Sequence, residues 1–172
     1  MVQSMPLQTL ADERSEISGV LWRSWRLPRP TVGIMHAFNL EAEQVWNRER
    51  HVEKILETIS GGDVTVACWE PGQCSPHHCH PEATEIYFCY TGGGTMRTPD
   101  SVTEVVPGSF VVHPPGELHE YENGPARSLL FRVRYGNDMR YHSVAWRGRP
   151  GWIQPPEDAA YFATLSSASA QH

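Results

Sequence analysis

Between Gly72 and Gly92 the chain reads GQCSPHHCHPEATEIYFCYTG, and the order of His78, His80 and Glu85 within it limits what this sequence can become. In an extended strand, successive side chains point to opposite faces, so His78 and His80 share a face while Cys79 and His77 point away. Pro81 then suits a turn, and Glu85-Ile86-Tyr87-Phe88-Cys89-Tyr90 reads as a return strand lying antiparallel beside the first, which makes the stretch a hairpin with two imidazoles and one carboxylate converging. Imidazole nitrogen with carboxylate oxygen suits a divalent ion of the Fe, Mn, Ni, Co or Zn type. The bland reading of the two histidines is a pair facing solvent, and the Glu85 register tells against it. A Cys/His zinc site using Cys74 and Cys79 would need side chains from the wrong strand faces.

A second stretch supplies a further donor. Gly108 to His119, GSFVVHPPGELH, reads as a short buried strand, a tight Pro114-Pro115-Gly116 turn, and a histidine delivered back toward the strand face. His113, just before the turn, reads as structural.

The two stretches together resemble the signatures of the cupin family, G-x5-H-x-H-x4-E-x6-G and G-x5-P-x-G-x2-H-x3-N. Gly72, His78, His80, Glu85 and Gly92 fill the first, and Gly108, Pro114, Gly116, His119 and Asn123 fill the second. The resemblance spans roughly Lys54 to Val133. It implies an all-β fold, a single double-stranded β-barrel or jelly roll, with a metal held inside by His78, His80, Glu85 and His119. Antiparallel strands that must bury one face and protect their edges favour such a fold independently.

Composition sets the bounds. A chain of 172 residues is about one domain long. Its net charge of −6, with histidine neutral, disfavours nucleic acid or an anionic membrane as partner. Cys68, Cys74, Cys79 and Cys89 show no zinc-ribbon or redox spacing, the N-terminus has no signal-peptide pattern, and no run is long enough to cross a bilayer, so the expected location is the cytoplasm.

The expected organisation is an N-terminal arm over 1–50, a barrel over 51–135 and a C-terminal extension over 136–172. Met1 to Pro30 lacks a sustained period but carries Trp22 and Trp25, so the arm is expected to lie on a surface, its own barrel's or a partner's, and the chain to form a homodimer. Thr31 to Leu40 reads as a strand, Glu41 to Arg50 as a short helix or loop, and His36 has no assigned role. Barrel strands follow from Val52, with Gly61-Gly62 as a hairpin turn and Gly92-Gly93-Gly94 as a bend. In Ser128 to Tyr135 the apolar set Leu129, Phe131 and Val133 is placed inward. Pro155 and Pro156 ahead of Glu157 and Asp158 start a short helix that packs Tyr161 and Phe162 outside the barrel, and the closing Ser-Ser-Ala-Ser-Ala-Gln reads as disordered.

Tyr87, on the same strand parity as Glu85, and Phe110 are candidates for the pocket wall, and Tyr87 is the candidate catalytic residue. Arg97 either meets an acidic substrate or faces solvent. Three imidazoles and a carboxylate on an octahedral ion leave two positions open. The first functional reading is therefore a mononuclear dioxygenase, Fe(II) favoured, using dioxygen on a small organic acid, phenol or ketone. The rivals are a non-redox isomerase, epimerase or lyase with Mn, Ni or Zn as Lewis acid, and a small-molecule-binding module without catalysis.

Overall fold

The structure, a computed structural model, describes residues 35–169. The expected arm from Met1 to Pro30, with Trp22 and Trp25, lies outside the described residues, as does the first part of the strand expected from Thr31. Residues 35–39 carry no strand, and 40–50 hold only turns and bends.

Ten strands and one helix follow. They are β1 (Val52–Ile59), β2 (Gly62–Trp69), β3 (His77–Cys79), β4 (Ala83–Thr91), β5 (Gly94–Arg97), β6 (Val102–Val105), β7 (Phe110–His113), β8 (Glu120–Asn123), β9 (Ser128–Gly136), β10 (His142–Ala145) and α1 (Pro156–Ser169). One sheet has the order β1-β2-β9-β4-β7, and every pairing in it is antiparallel. Two smaller sheets, β10-β3 and β6-β5-β8, are joined by isolated antiparallel bridges at His78↔His119 and Cys74↔Glu122. The second layer therefore runs β10-β3-β8-β5-β6, and the two layers make the expected jelly roll.

Local chemistry explains the joints. Ile59 pairs with Gly62 across a two-residue loop whose Gly61 has φ 73°, the left-handed conformation that such a loop needs. At the β4–β5 bend, a Cβ on Gly93 would lie 2.2 Å from the Val105 carbonyl oxygen, so only glycine fits. The signature asparagine, Asn123, is buried, and its amide donates to the carbonyls of Trp69, Glu70 and Ala126 at 3.2, 2.9 and 2.9 Å. It pins the end of β2 to the β8–β9 turn.

Between the layers lies an apolar cluster of Ala67, Trp69, Tyr87, Cys89, Met96, Val105, Tyr121 and Leu130. A second cluster, Val66, Cys68 and Leu129, sits on the opposite face of the five-stranded sheet under Leu40, Trp46, Val52 and Leu56.

Several expectations need correction. Residues 77–79 and 83–91 do not form a hairpin: β3 pairs with β10 while β4 pairs with β7 and β9, so the Pro81-Glu82 link is a corner between layers. The chain beyond Gly136 adds a strand, β10, which was not anticipated. In β9 the set facing the interior is Leu130, Arg132 and Arg134, because each arginine finds a carboxylate there, while Leu129 is buried on the other face. Phe110 is 64% exposed on the outer face of the sheet, and Val111 and His113 are its inward neighbours. The closing serines are helical as far as Ser169, because α1 runs on from its docked first turn: Asp158 accepts from the Ser143 amide at 3.0 Å and the His142 ring at 2.8 Å, and Tyr161 stacks on His142. No described helix is long and apolar enough to cross a membrane.

Candidate metal centre

The bridge His78↔His119 is a mutual backbone pair: His78 N–H donates to the His119 carbonyl at 2.9 Å and His119 N–H to that of His78 at 2.8 Å. Their rings therefore stand side by side, with centroids 4.5 Å apart. His80 follows two residues after His78, and the Gly116 amide donates to its carbonyl at 2.8 Å, tying the Pro114-Gly116 turn to the same corner. Gly116 has φ 82°, so glycine permits the turn that brings His119 back. Glu85 reaches in from the opposite layer, on β4. All four side chains are buried.

The hydrogen bonds fix how the rings face. Each Nδ1 meets a backbone carbonyl: His78 that of Pro76 at 2.9 Å, His80 that of Arg140 at 3.2 Å, and His119 that of Glu117 at 2.9 Å. A carbonyl can only accept, so each Nδ1 carries hydrogen, and in the neutral rings the Nε2 lone pair is left for the interior. His119 Nε2 lies 3.0 Å from Glu85 Oε2 and His80 Nε2 lies 3.5 Å from Glu85 Oε1. His80 Nε2 and Glu85 Oε1 have no hydrogen-bond partner. A divalent ion among these atoms would satisfy the lone pairs and the carboxylate together, and this outer set of backbone acceptors is what metal-ligating histidines characteristically use. The donor atoms of His78, His80 and Glu85 lie within 4.8 Å of one another; those of His119 meet the same limit with His113 and Glu117. The residues present therefore fit a divalent metal ion.

Electrostatics agrees. Burial, with the neighbouring His119, lowers the His78 ring to about 3, so it is neutral near pH 7. Burial alone would raise Glu85; the adjoining His119 and His80 rings and the Arg132 charge outweigh it and hold the carboxyl well below its usual range. His113 stacks on His119 at 3.8 Å and 7°, and its Nδ1 meets Glu117 Oε2 at 2.6 Å, a contact that orients the His119 ring.

Other expected residues separate. Tyr87 is buried, lines the cavity and belongs to the apolar cluster; burial and then Glu85 push its phenol well above the usual value, so it stays protonated. His77 is half-buried and absent from the donor groups. Arg97 neither faces the cavity nor stands alone in solvent but pairs with Glu122 at 3.2 Å. All four cysteines are free, and Cys79 is buried.

The residues that went unnoticed in the sequence lie around these ligands. Arg132, 2% exposed, puts Nη1 2.6 Å from Glu53 Oε1 and 3.5 Å from Glu85 Oε1, and Nη2 3.3 Å from Asp63 Oδ1. Arg134 pairs with the other Asp63 oxygen at 3.0 Å. Tyr141 sits edge-on to His78 and His80, with ring centroids 5.7 and 6.0 Å away. A cavity of about 400 Å³ opens here, lined also by Arg50, His51 and Trp146. The alternation of β9 was the available signal for Arg132, but only the partners on β1 and β2 decide which set turns inward.

Comparison with known proteins follows the same geometry. Residues 65–131 match the model of the cupin domain. Among solved structures, a protein with a double-stranded β-helix domain from Klebsiella pneumoniae subsp. pneumoniae MGH 78578 is similar over 64% of this chain and 98% of its own, at 18% identity and a TM-score of 0.59. An RmlC-like cupin protein from Desulfovibrio desulfuricans is similar over 59% and 97%, at 18% identity and a TM-score of 0.54. A candidate mannose-6-phosphate isomerase from Ralstonia eutropha JMP134 is similar over 59% and 99%, at 16% identity and a TM-score of 0.53. At these identities the likeness is one of fold. No curated protein matches the sequence significantly. The segment from 65 to 131 thus matches the cupin domain, and the strands around it have the fold of double-stranded β-helix proteins.

Proposed function

We propose that the protein is a mononuclear metal-dependent enzyme, and that Fe(II)-dependent dioxygenation of a small organic acid, phenol or ketone is its reaction. One observation carries this reading: three imidazoles are each held by a backbone carbonyl on Nδ1, and the Nε2 atoms of His80 and His119 lie 3.5 and 3.0 Å from the Glu85 carboxylate, beside a cavity that His78 and His80 line. Four such donors leave two positions of an octahedral shell for reactants. Fe(II) bound there would supply the redox step between dioxygen and an oxygen-donor substrate.

The chain's own residues have separable tasks. His78, His80, His119 and Glu85 would hold the ion. Arg132 shares its charge among Glu53, Asp63 and Glu85 and fixes the carboxylate's position. Tyr87, kept protonated, can donate a hydrogen bond or a proton but cannot serve as a base near neutral pH. Tyr141 and Trp146 supply an aromatic wall to the cavity.

A second reading, a non-redox isomerase, epimerase or lyase with Mn, Ni or Zn polarising a carbonyl, is supported by the likeness to the candidate sugar phosphate enzyme from Ralstonia eutropha. The lack of a base in Tyr87 weighs against it. Oxygen-electrode traces of Fe(II)-loaded protein against catechols, hydroxyacetophenones, β-diketones and thiols test the choice. Uptake with one of these classes, abolished in His80→Ala, supports the oxygenase; turnover of a carbonyl substrate by Mn- or Zn-loaded protein with no oxygen uptake would replace it.

A further inference from the structure

The charges around the cavity do not cancel once a divalent ion is present. Of the residues that line the cavity, Arg50, Arg132 and Arg134 are cationic and Glu53 is anionic, and the carboxylates of Asp63 and Glu85 lie against these arginines from outside the lining. The three of each sign balance, so the two charges of the ion remain uncompensated. The pairing is also uneven. Glu53 and Asp63 engage Arg132, and Asp63 engages Arg134 as well, which leaves Arg50 with no hydrogen bond or ion pair to any described residue. Arg50 is exposed at the cavity mouth beside His51, whose ring is stacked on Trp69 at 4.0 Å and 8°. A neutral substrate would leave both excess charges facing the cavity, whereas an anion neutralises them.

We propose, building on the metal reading above, that the substrate is a small carboxylate bearing a second oxygen donor, and that Arg50 is the residue that selects the acid over neutral compounds of the same shape. A guanidinium grips a carboxylate through two parallel hydrogen bonds, and one unengaged arginine matches one carboxylate. Tyr141, standing over His78 and His80, limits the length of acid that can lie between the mouth and the ligands.

The test uses Mn(II)-loaded protein whose metal content is measured before any ligand is added. Titration calorimetry then compares lactate with lactamide and malonate with malonamide, pairs alike in shape but not in charge. Each acid is expected to bind about tenfold more tightly than its amide, the scale of one hydrogen bond to a charged group. Arg50→Gln is expected to remove most of that preference while holding the same metal content. Equal binding of acid and amide, no binding of either acid, a preference that survives in Arg50→Gln, or inorganic phosphate outcompeting both acids would each overturn the assignment. Absence of metal uptake by the wild-type protein would instead overturn the metal reading, and it shows at the first step.

Discussion

Along β4 the inward side chains pass from Cys89 through Tyr87 to Glu85, and along β9 from Leu130 through Arg132 to Arg134. The apolar end of the interior and its ionisable end are thus four residues apart on the same strands, with Tyr87 paired to Arg132 at the border. Their contributions differ in kind. Each large apolar side chain at the first end stabilises the fold by about 1.5–3 kcal/mol through burial. At the second end every buried charge carries a desolvation cost, which its partners offset without a large surplus. The apolar end stabilises the barrel, and the stabilised barrel holds together donors that would not assemble unaided.

Removing apolar volume should therefore cost stability and spare the ligands. Leu130→Ala, at a fully buried site, is expected to lower unfolding free energy in urea by about 4 kcal/mol while the folded fraction keeps its metal content. Loss of metal in folded Leu130→Ala would show that the two ends are not separable.

The next effect lies on the border network. Asp63→Asn leaves Arg134 and one arm of Arg132 unpaired and is expected to cost about 3 kcal/mol. Burial raises the Asp63 carboxyl, but the Thr65 hydroxyl and the charges of Arg132 and Arg134 outweigh it, so the folded group titrates below its unfolded value of 3.8. Its contribution is present above that pH and is lost as pH falls through the lower folded value. The gap in stability between wild type and Asp63→Asn should therefore hold steady from pH 7 to about 4 and close below pH 3.8. A gap that closes near pH 6 would assign the effect to other groups.

The smallest effect belongs to neither end. Phe110→Ser, on the outer face, is expected to change stability by under about 0.5 kcal/mol and to leave metal content unchanged. A loss of several kcal/mol would place that ring in the interior after all.

The ionisable end was the more legible in the sequence. The spacing of His78, His80 and Glu85 names side chains whose donor atoms the fold brings within 4.8 Å of one another, and His119 reaches the same carboxylate at 3.0 Å, because strand parity and a glycine turn are local properties. What surrounds them was not legible. Both sets in β9 contain leucine and both faces of the sheet are partly covered, so alternation alone could not turn Arg132 inward. The corner at Pro81 looks like a hairpin until β10 takes the place beside β3, and β10 is four residues long and pairs with a strand more than sixty positions earlier. Phe110, a candidate for the pocket wall, has the outward parity of β7, and Val111 and His113 hold the inward one.

The most direct measurement is metal content per chain, by elemental analysis of protein equilibrated with Fe(II) or Mn(II) and then desalted, for the wild type and for His119→Ala. The account predicts close to one ion per wild-type chain and loss of most of it in the folded variant, because the ring that closes on Glu85 from the second layer is gone. Equal metal content in the two proteins, or none in the wild type, would contradict it.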